Sequence, residues 1–221
     1  SSPDTNTVPL APIEIVVTGT KRPQTLFDLP MAALVVPLSE RDGSATAHGA
    51  SFIGSQVEGL SLTALGSGRN RLFLRGIADS AFNGESQTTV AVVLDEARLT
   101  LSAPDPDIRL VDMDRVEVLK GPQGASHGVG TLGGVYHIVT RRAVLDETSL
   151  SASLGLIAKE HGEAGHMASA IANLPLTGQD GIAAIRLVGY QSDEPGWIDT
   201  GTRRNTNNTK VNGARIGLGV D

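Results

Sequence analysis

Cysteine is absent from all 221 residues. No disulfide framework and no cysteine-based metal site can therefore be built, and an oxidising envelope compartment is permitted but not required. Aromatic residues make up 3% of the chain, against 26 glycines. That balance fits a tightly turning, β-rich chain better than a large aromatic-packed core. Basic residues are in deficit: 18 Lys and Arg face 24 Asp and Glu, a formal net charge of −6. Phosphate binding needs clustered Lys and Arg, so nucleic acid is not an expected partner. No run approaches the roughly 18 apolar residues of a membrane-spanning helix, so a membrane role requires β-strands. The start, Ser1-Ser2-Pro3-Asp4, is polar and carries no leader pattern. An exported protein would be numbered here from its mature end.

What is present is 40% hydrophobic and 19% charged, which is not a disordered composition. The length allows one or two domains. The chain is organised around residues 114–142, DRVEVLKGPQGASHGVGTLGGVYHIVTRR. Residues 115–120 alternate charged and apolar side chains, as a half-buried strand does. Residues 121–134 hold six glycines and one proline, which forbids a regular element and allows several tight turns. Residues 135–140 are β-branched and aromatic and predict a second strand.

Two catalytic patterns fall in that loop. Gly124-Ala125-Ser126-His127-Gly128 matches the nucleophile elbow, which needs a strand before it and a helix after it. Gly128 to Gly133 matches the dinucleotide fingerprint, which must open a helix. A strand follows in both cases. A hydrolase or dinucleotide enzyme on this loop stays as an alternative, beside a loop that only turns tightly against a neighbour. Histidines 48, 127, 137, 161 and 166 show no tight ligand spacing, so no metal site is expected.

The stretch VEVLKGPQGASHGVGTLGGVYHIVTRR resembles the end of the plug domain of TonB-dependent outer-membrane receptors. Those commonly read VEVLRGPQG, then a Gly-Gly pair and INIVTKK. Three further stretches agree in order: Glu14-Ile15-Val16-Val17-Thr18-Gly19, Phe73-Leu74-Arg75-Gly76-Ile77 and Val90-Ala91-Val92-Val93-Leu94-Asp95. The resemblance covers roughly residues 13–142 and implies an α/β plug domain there, after a tail over residues 1–12. Residues 143–221 would then be the first antiparallel strands of a transmembrane β-barrel. It also implies a transport receptor rather than an enzyme, without cofactors, in the bacterial outer membrane with the plug facing the periplasm. The implied partners are TonB with its inner-membrane energising complex, a small-molecule nutrient ligand and outer-membrane lipid.

Ile13-Glu14-Ile15-Val16-Val17-Thr18 is strand-like. It reads as an edge strand, or, by the resemblance, as the TonB box that TonB captures by adding a strand. A strand is expected over residues 31–36 and a helix over 45–60, whose residues 50, 53, 57 and 60 share an apolar face. Strands over 61–65 and 71–75 would pair. Residues 78–89 form a polar loop; the resemblance makes Asp79, Ser80, Phe82 and Asn83 ligand-facing, although a solvated loop explains them equally. A strand over 90–94 turns at Asp95-Glu96 and returns over 97–101. A short helix starts at Pro104, capped by Asp105, with Ile108, Val111 and Met113 as its apolar side.

After Arg142 the helix signals stop. Alternating runs over 150–157, 166–173, 182–190 and 212–220 are divided by turns, the pattern of a transmembrane barrel. Val211, Ala214, Ile216, Leu218 and Val220 are the apolar positions of the last run. Residues 143–221 hold about four strands, whereas the family's barrels close with about 22. Four strands cannot close, and an open edge in lipid leaves backbone groups unbonded. The expectation is that a second polypeptide, or a missing part, supplies the remaining strands. Arg75 and Lys120 stand where the family has arginines paired with barrel-wall glutamates; a solvated face is the other reading. Lys120 lacks the bidentate fork of Arg. A soluble plug-like binding module, its last strands forming a small sandwich, is the second alternative.

Overall fold

The computed structural model describes residues 16–19, 24–25, 32–39, 48–63, 70–75, 89–99, 108–122, 132–158, 164–177, 181–196, 198, 200–202 and 206–221. In chain order the first elements are β1 (Val16–Val17), β2 (Gln24–Thr25), β3 (Ala32–Pro37), α1 (Ala50–Gln56), β4 (Leu60–Leu62), β5 (Leu72–Leu74), β6 (Val90–Leu94), β7 (Ala97–Arg98), β8 (Met113–Lys120) and β9 (Gly134–Thr140). Then come β10 (Ser149–Ala158), β11 (Ala164–Pro175), β12 (Ala183–Glu194) and β13 (Thr209–Val220).

A mixed five-stranded sheet runs in the order β3-β8-β9-β6-β7. The pair β6–β9 is parallel and the other pairs are antiparallel. The alternation seen over residues 115–120 sends the two faces of this sheet to different neighbours. Val116, Val118, Tyr136, Ile138, Val90 and Val92 face a core closed by α1, β4 and β5 through Ile53, Val57, Leu60, Leu72 and Leu74. Leu119, Val135, Ala91 and Val93 face the other side, where Val17 of β1 covers them. The glycine loop joins strand to strand, as expected. At its exit Gly134 has φ 144, and a Cβ there would drive into the Leu119 carbonyl oxygen.

Two helix expectations are corrected. Over the described part of residues 45–60, helix covers His48 and, after a break at Gly49, Ala50–Gln56. Val57 is already extended, Gly59 turns the chain at φ 79, and Leu60 pairs with Leu74. The apolar spacing was real, but half of it serves a strand. The helix expected across residues 104–113 is absent over its described residues, 108–113. Asp112 is left-handed at φ 57, and Met113 opens β8. Leu110 and Met113 still enter the core, whereas Val111 turns the opposite way. Burial alone produced that spacing.

The last four strands form an antiparallel meander, β10-β11-β12-β13, with β10 and β13 at its edges. Its strands match the four expected runs to within four residues at every end: Ile182 falls just outside β12, β13 ends at the expected Val220, and the other ends extend by one to four residues. Alternate residues of β12 are buried against the first domain, and β13 alternates between half-buried and exposed. Ala214, Ile216, Leu218 and Val220 point outward, but Val211 falls on the opposite face with Arg215, because it is an odd number of residues away. No described helix is long and apolar enough to cross a membrane, which does not bear on crossing by strands.

Gly134→Ala should lower the stability of the full chain in detergent by about 3 kcal/mol, because it adds a backbone collision to a positive φ. Gly189→Ala, where a Cβ meets open space, should change it by less than about 0.5 kcal/mol. Denaturant midpoints of the two variants check the contrast.

Candidate functional site

The strand β8 carries two polar clusters, one at its start and one at its middle. The first ties the five-stranded sheet to the meander. Asp112 has a fully buried carboxylate. Arg186 of β12 donates to it through Nε at 2.9 Å and Nη2 at 2.6 Å. Arg215 of β13 donates from Nη2 to the carboxylate at 2.7 Å and to the Asp112 carbonyl oxygen at 2.7 Å. The two arginines are near neighbours across the ladder: Arg186 lies opposite Gly217, and Val188 opposite Arg215. The left-handed backbone of Asp112 is what turns its carboxylate toward both. Beside it, Arg109 pairs with Glu194 at the end of β12. Val111 packs on Met167 and Val188 and completes the seam. Asn173 fastens the connection into the meander, donating to the carbonyls of Val144 and Glu147 and accepting from Val144 N–H.

The second cluster surrounds Glu117, which is 0% exposed. Its carboxylate accepts from the N–H of Thr18 at 3.0 Å, the N–H of Gly19 at 2.6 Å and the Thr18 hydroxyl at 3.1 Å. Arg115 Nε donates at 2.9 Å, and His137 Nδ1 lies at 3.1 Å from across the ladder. The other His137 nitrogen, Nε2, sits 2.7 Å from the Asp95 carbonyl oxygen. Burial pushes the Glu117 carboxyl upward, but the bonds from His137, Thr18 and Gly19 outweigh it and hold the group down at about 2. Arg115 is held above its usual range: burial opposes the shift, and Asp114 and Glu117 overcome it.

The residues expected to be functional are placed unevenly. Ile13, Glu14 and Ile15 lie outside the described residues, as do Asp79, Ser80, Phe82, Asn83 and Ser126. Val16 and Val17 pair with Thr25 and Gln24 in a two-stranded ladder. Val17 is buried, and Thr18 is held by Glu117. Arg75 and Lys120 converge on the turn after α1. Lys120 Nζ donates to the Glu58 carbonyl oxygen at 2.5 Å, and the Arg75 side chain lies beside Gly59. Among the described residues, ion pairs between the two parts involve Asp112, Arg109, Arg186, Arg215 and Glu194. Arg186 and Arg215 carried one legible signal, a cation on the otherwise small or apolar inward face of a strand. Nothing local marked Asp112 or Glu117. Among the described residues no group of His, Asp and Glu is placed to hold a metal ion.

Asp112→Ala should destabilise the chain by about 3 kcal/mol, because it leaves two arginines facing a buried site without their anion. The denaturant midpoint reads this. For Glu117 the folded pKa lies below the unfolded value, so its contribution is complete above about pH 4.5. It is lost as pH falls toward about 2. The loss should be on the order of 3 kcal/mol, and Glu117→Gln should flatten that part of the stability profile.

Comparison with known proteins places this architecture. A family model for the TonB-dependent Receptor Plug Domain matches residues 25–135, just over half of the chain. Among solved structures, the ferric yersiniabactin uptake receptor of Yersinia pestis matches with TM-score 0.64 and 18% identity, over 85% of this chain and 28% of that one. The ferripyoverdine receptor of the outer membrane of Pseudomonas aeruginosa matches with TM-score 0.63 and 19% identity, over 83% and 23%. The alcaligin outer membrane receptor of Bordetella pertussis matches with TM-score 0.60 and 22% identity, over 80% and 29%. At these identities the structures speak for the fold. This chain spans between about a quarter and a third of each receptor's length. The matched receptors share the fold of this chain, and over residues 25–135 the chain belongs to the TonB-dependent receptors through its plug domain.

Proposed function

We propose that this chain is the plug and first wall strands of an outer-membrane uptake receptor driven by TonB. The observation that carries the reading is the two-sided character of the meander. Its inward face presents Arg186 and Arg215 to Asp112 of the first domain and carries Asn173, which holds the backbone of Val144 and Glu147. Its outward face bares large apolar side chains, with the Asp193–Lys210 ion pair at one end: Leu150 is 80% exposed, Leu156 84%, Ile216 73% and Leu218 69%. A soluble sandwich would cover such a face, since water-exposed apolar patches of this kind mark contact with lipid or protein. Lipid is the partner that fits strands of 10 to 12 residues with alternating faces. The edges at β10 and β13 require strands outside these 221 residues to complete the wall. On this reading residues 1–12 are a tail, 13–142 the plug and 143–221 wall.

The segment Ile13–Thr18 is the part offered to TonB, and strand addition supplies the grip through main-chain bonds. Energy comes from the inner-membrane complex through that partner, so no nucleotide site is needed. Asp79, Ser80, Phe82 and Asn83 contribute to the outer ligand site. The compared receptors are named for ferric yersiniabactin and ferripyoverdine, and ferric chelates are the first class of small ligand to test. The wet readings are kept apart by solubility: a soluble module needs no detergent.

Ile15→Pro removes a backbone donor from the offered segment. It should reduce energised uptake at least tenfold while receptor abundance and ligand binding at the cell surface stay unchanged. Leu218→Arg, on the outward face, should cost about 2 to 4 kcal/mol of insertion, seen as loss of folded protein from the outer-membrane fraction. Full retention of both properties in both variants counts against the receptor reading.

A further inference from the structure

We propose that the Glu117 carboxylate is the catch that holds the N-terminal segment against the sheet and fixes where the chain yields when that segment is drawn away. The proposal deepens the receptor reading above and rests on it for the source of the pull. Besides the Arg115 Nη2 bond to the Thr18 hydroxyl at 3.2 Å, three things hold residues 16–19 among the described contacts. One is the two-pair ladder to β2. The second is the Val17 side chain, buried among Ala91, Val93, Leu119 and Val135. The third is Glu117, which takes two consecutive backbone N–H groups and the Thr18 hydroxyl. A ladder this short is weak by itself. Hydrogen bonds to a buried carboxylate are the strong members of the set, roughly twice as strong as neutral ones.

The surroundings of Glu117 suit a group that must let go and re-engage. Arg115 and His137 sit on β8 and β9, not on the segment. When Thr18 and Gly19 leave, those two partners stay, so release does not strand a lone buried charge. The close fit also limits what can re-enter. A Cβ on Gly19 would lie 2.7 Å from Leu119 Cδ1, 3.1 Å from Glu117 Oε2 and 3.3 Å from His137 Nδ1. Glycine is the residue that lets the backbone approach the carboxylate. Five residues before Glu117, Asp112 is tied to the wall through Arg186 and Arg215. A pull arriving at Thr18 therefore meets a strand whose start is fixed to the barrel, and the catch is the joint between the moving and the anchored parts.

These 221 residues hold no cysteine, so Val17→Cys introduces the one thiol of this segment, at a fully buried position, and labelling at residue 17 is read on the peptide that carries it. Its rate of maleimide labelling is measured in isolated outer membranes carrying the assembled receptor, without TonB and without ligand. The same measurement on Leu74→Cys, in the core on the other face of the sheet, reports general unfolding. Glu117→Ala should accelerate labelling at position 17 at least tenfold and leave position 74 protected. Glu117→Gln should fall between, since its amide keeps an acceptor but loses the charge. Thr18→Val and Gly19→Ala, which leave Glu117 in place, should each accelerate labelling severalfold and serve if Glu117→Ala does not assemble. Unchanged labelling at position 17, or equal acceleration at 17 and 74, overturns the proposal. The readout needs neither TonB nor uptake. A failure of the receptor reading would therefore appear as lost TonB dependence of transport with the labelling pattern intact.

Discussion

Two arginines from neighbouring wall strands close on one buried carboxylate, and the placement of everything else follows from that contact. Asp112 accepts from Arg186 and Arg215 at the start of β8. Since β8 lies beside β9 near the middle of the five-stranded sheet, fixing its start fixes the sheet relative to the wall. A buried ion pair is a poor source of net stability, because desolvation offsets attraction. It is a good source of orientation, because a bidentate fork accepts few geometries. The left-handed turn that presents the carboxylate costs backbone energy on a non-glycine residue. That strain is tolerable because the wall over-determines the residue from two sides.

The same strand does a second job through its two-residue period. Val116 and Val118 enter the larger core, and Glu117 and Leu119 face the N-terminal segment. An acid at position 117 would be ruinous on the core face. On its own face it meets donors from every direction, and its ionised form is the stable one. Anchor and clamp therefore lie five residues apart, one in the turn that opens β8 and one at its middle.

The wall reverses the ordinary arrangement of a water-soluble sheet. Arg186, Arg215 and Asn173 lie on the inward face, and exposed leucines lie on the outward one. The charged groups of the inner face meet plug partners: Arg186 and Arg215 meet Asp112, and Glu194 meets Arg109. The seam is thus electrostatic in content and narrow in apolar contact, with Val111, Met167 and Val188 as its hydrophobic patch.

Periodicity was legible in the sequence because it is a local property. Strand, glycine loop and strand over residues 115–140, the hairpin of β4 and β5, and the four wall strands all stood in the pattern of alternation and turns, and the motifs in that order pointed to the family. Helix extent was less legible. The apolar residues over 50–60 and 108–113 are buried in both cases, and burial by a strand or a turn leaves the same residue types behind. Pairing across the molecule was not legible at all. Asp112 meets Arg186 from 74 positions away, and Glu117 meets Thr18 from 99. Which charge answers which depends on how two sheets dock, and only the tertiary structure sets that, because the energy of an ion pair depends on separation in space and is indifferent to separation along the chain.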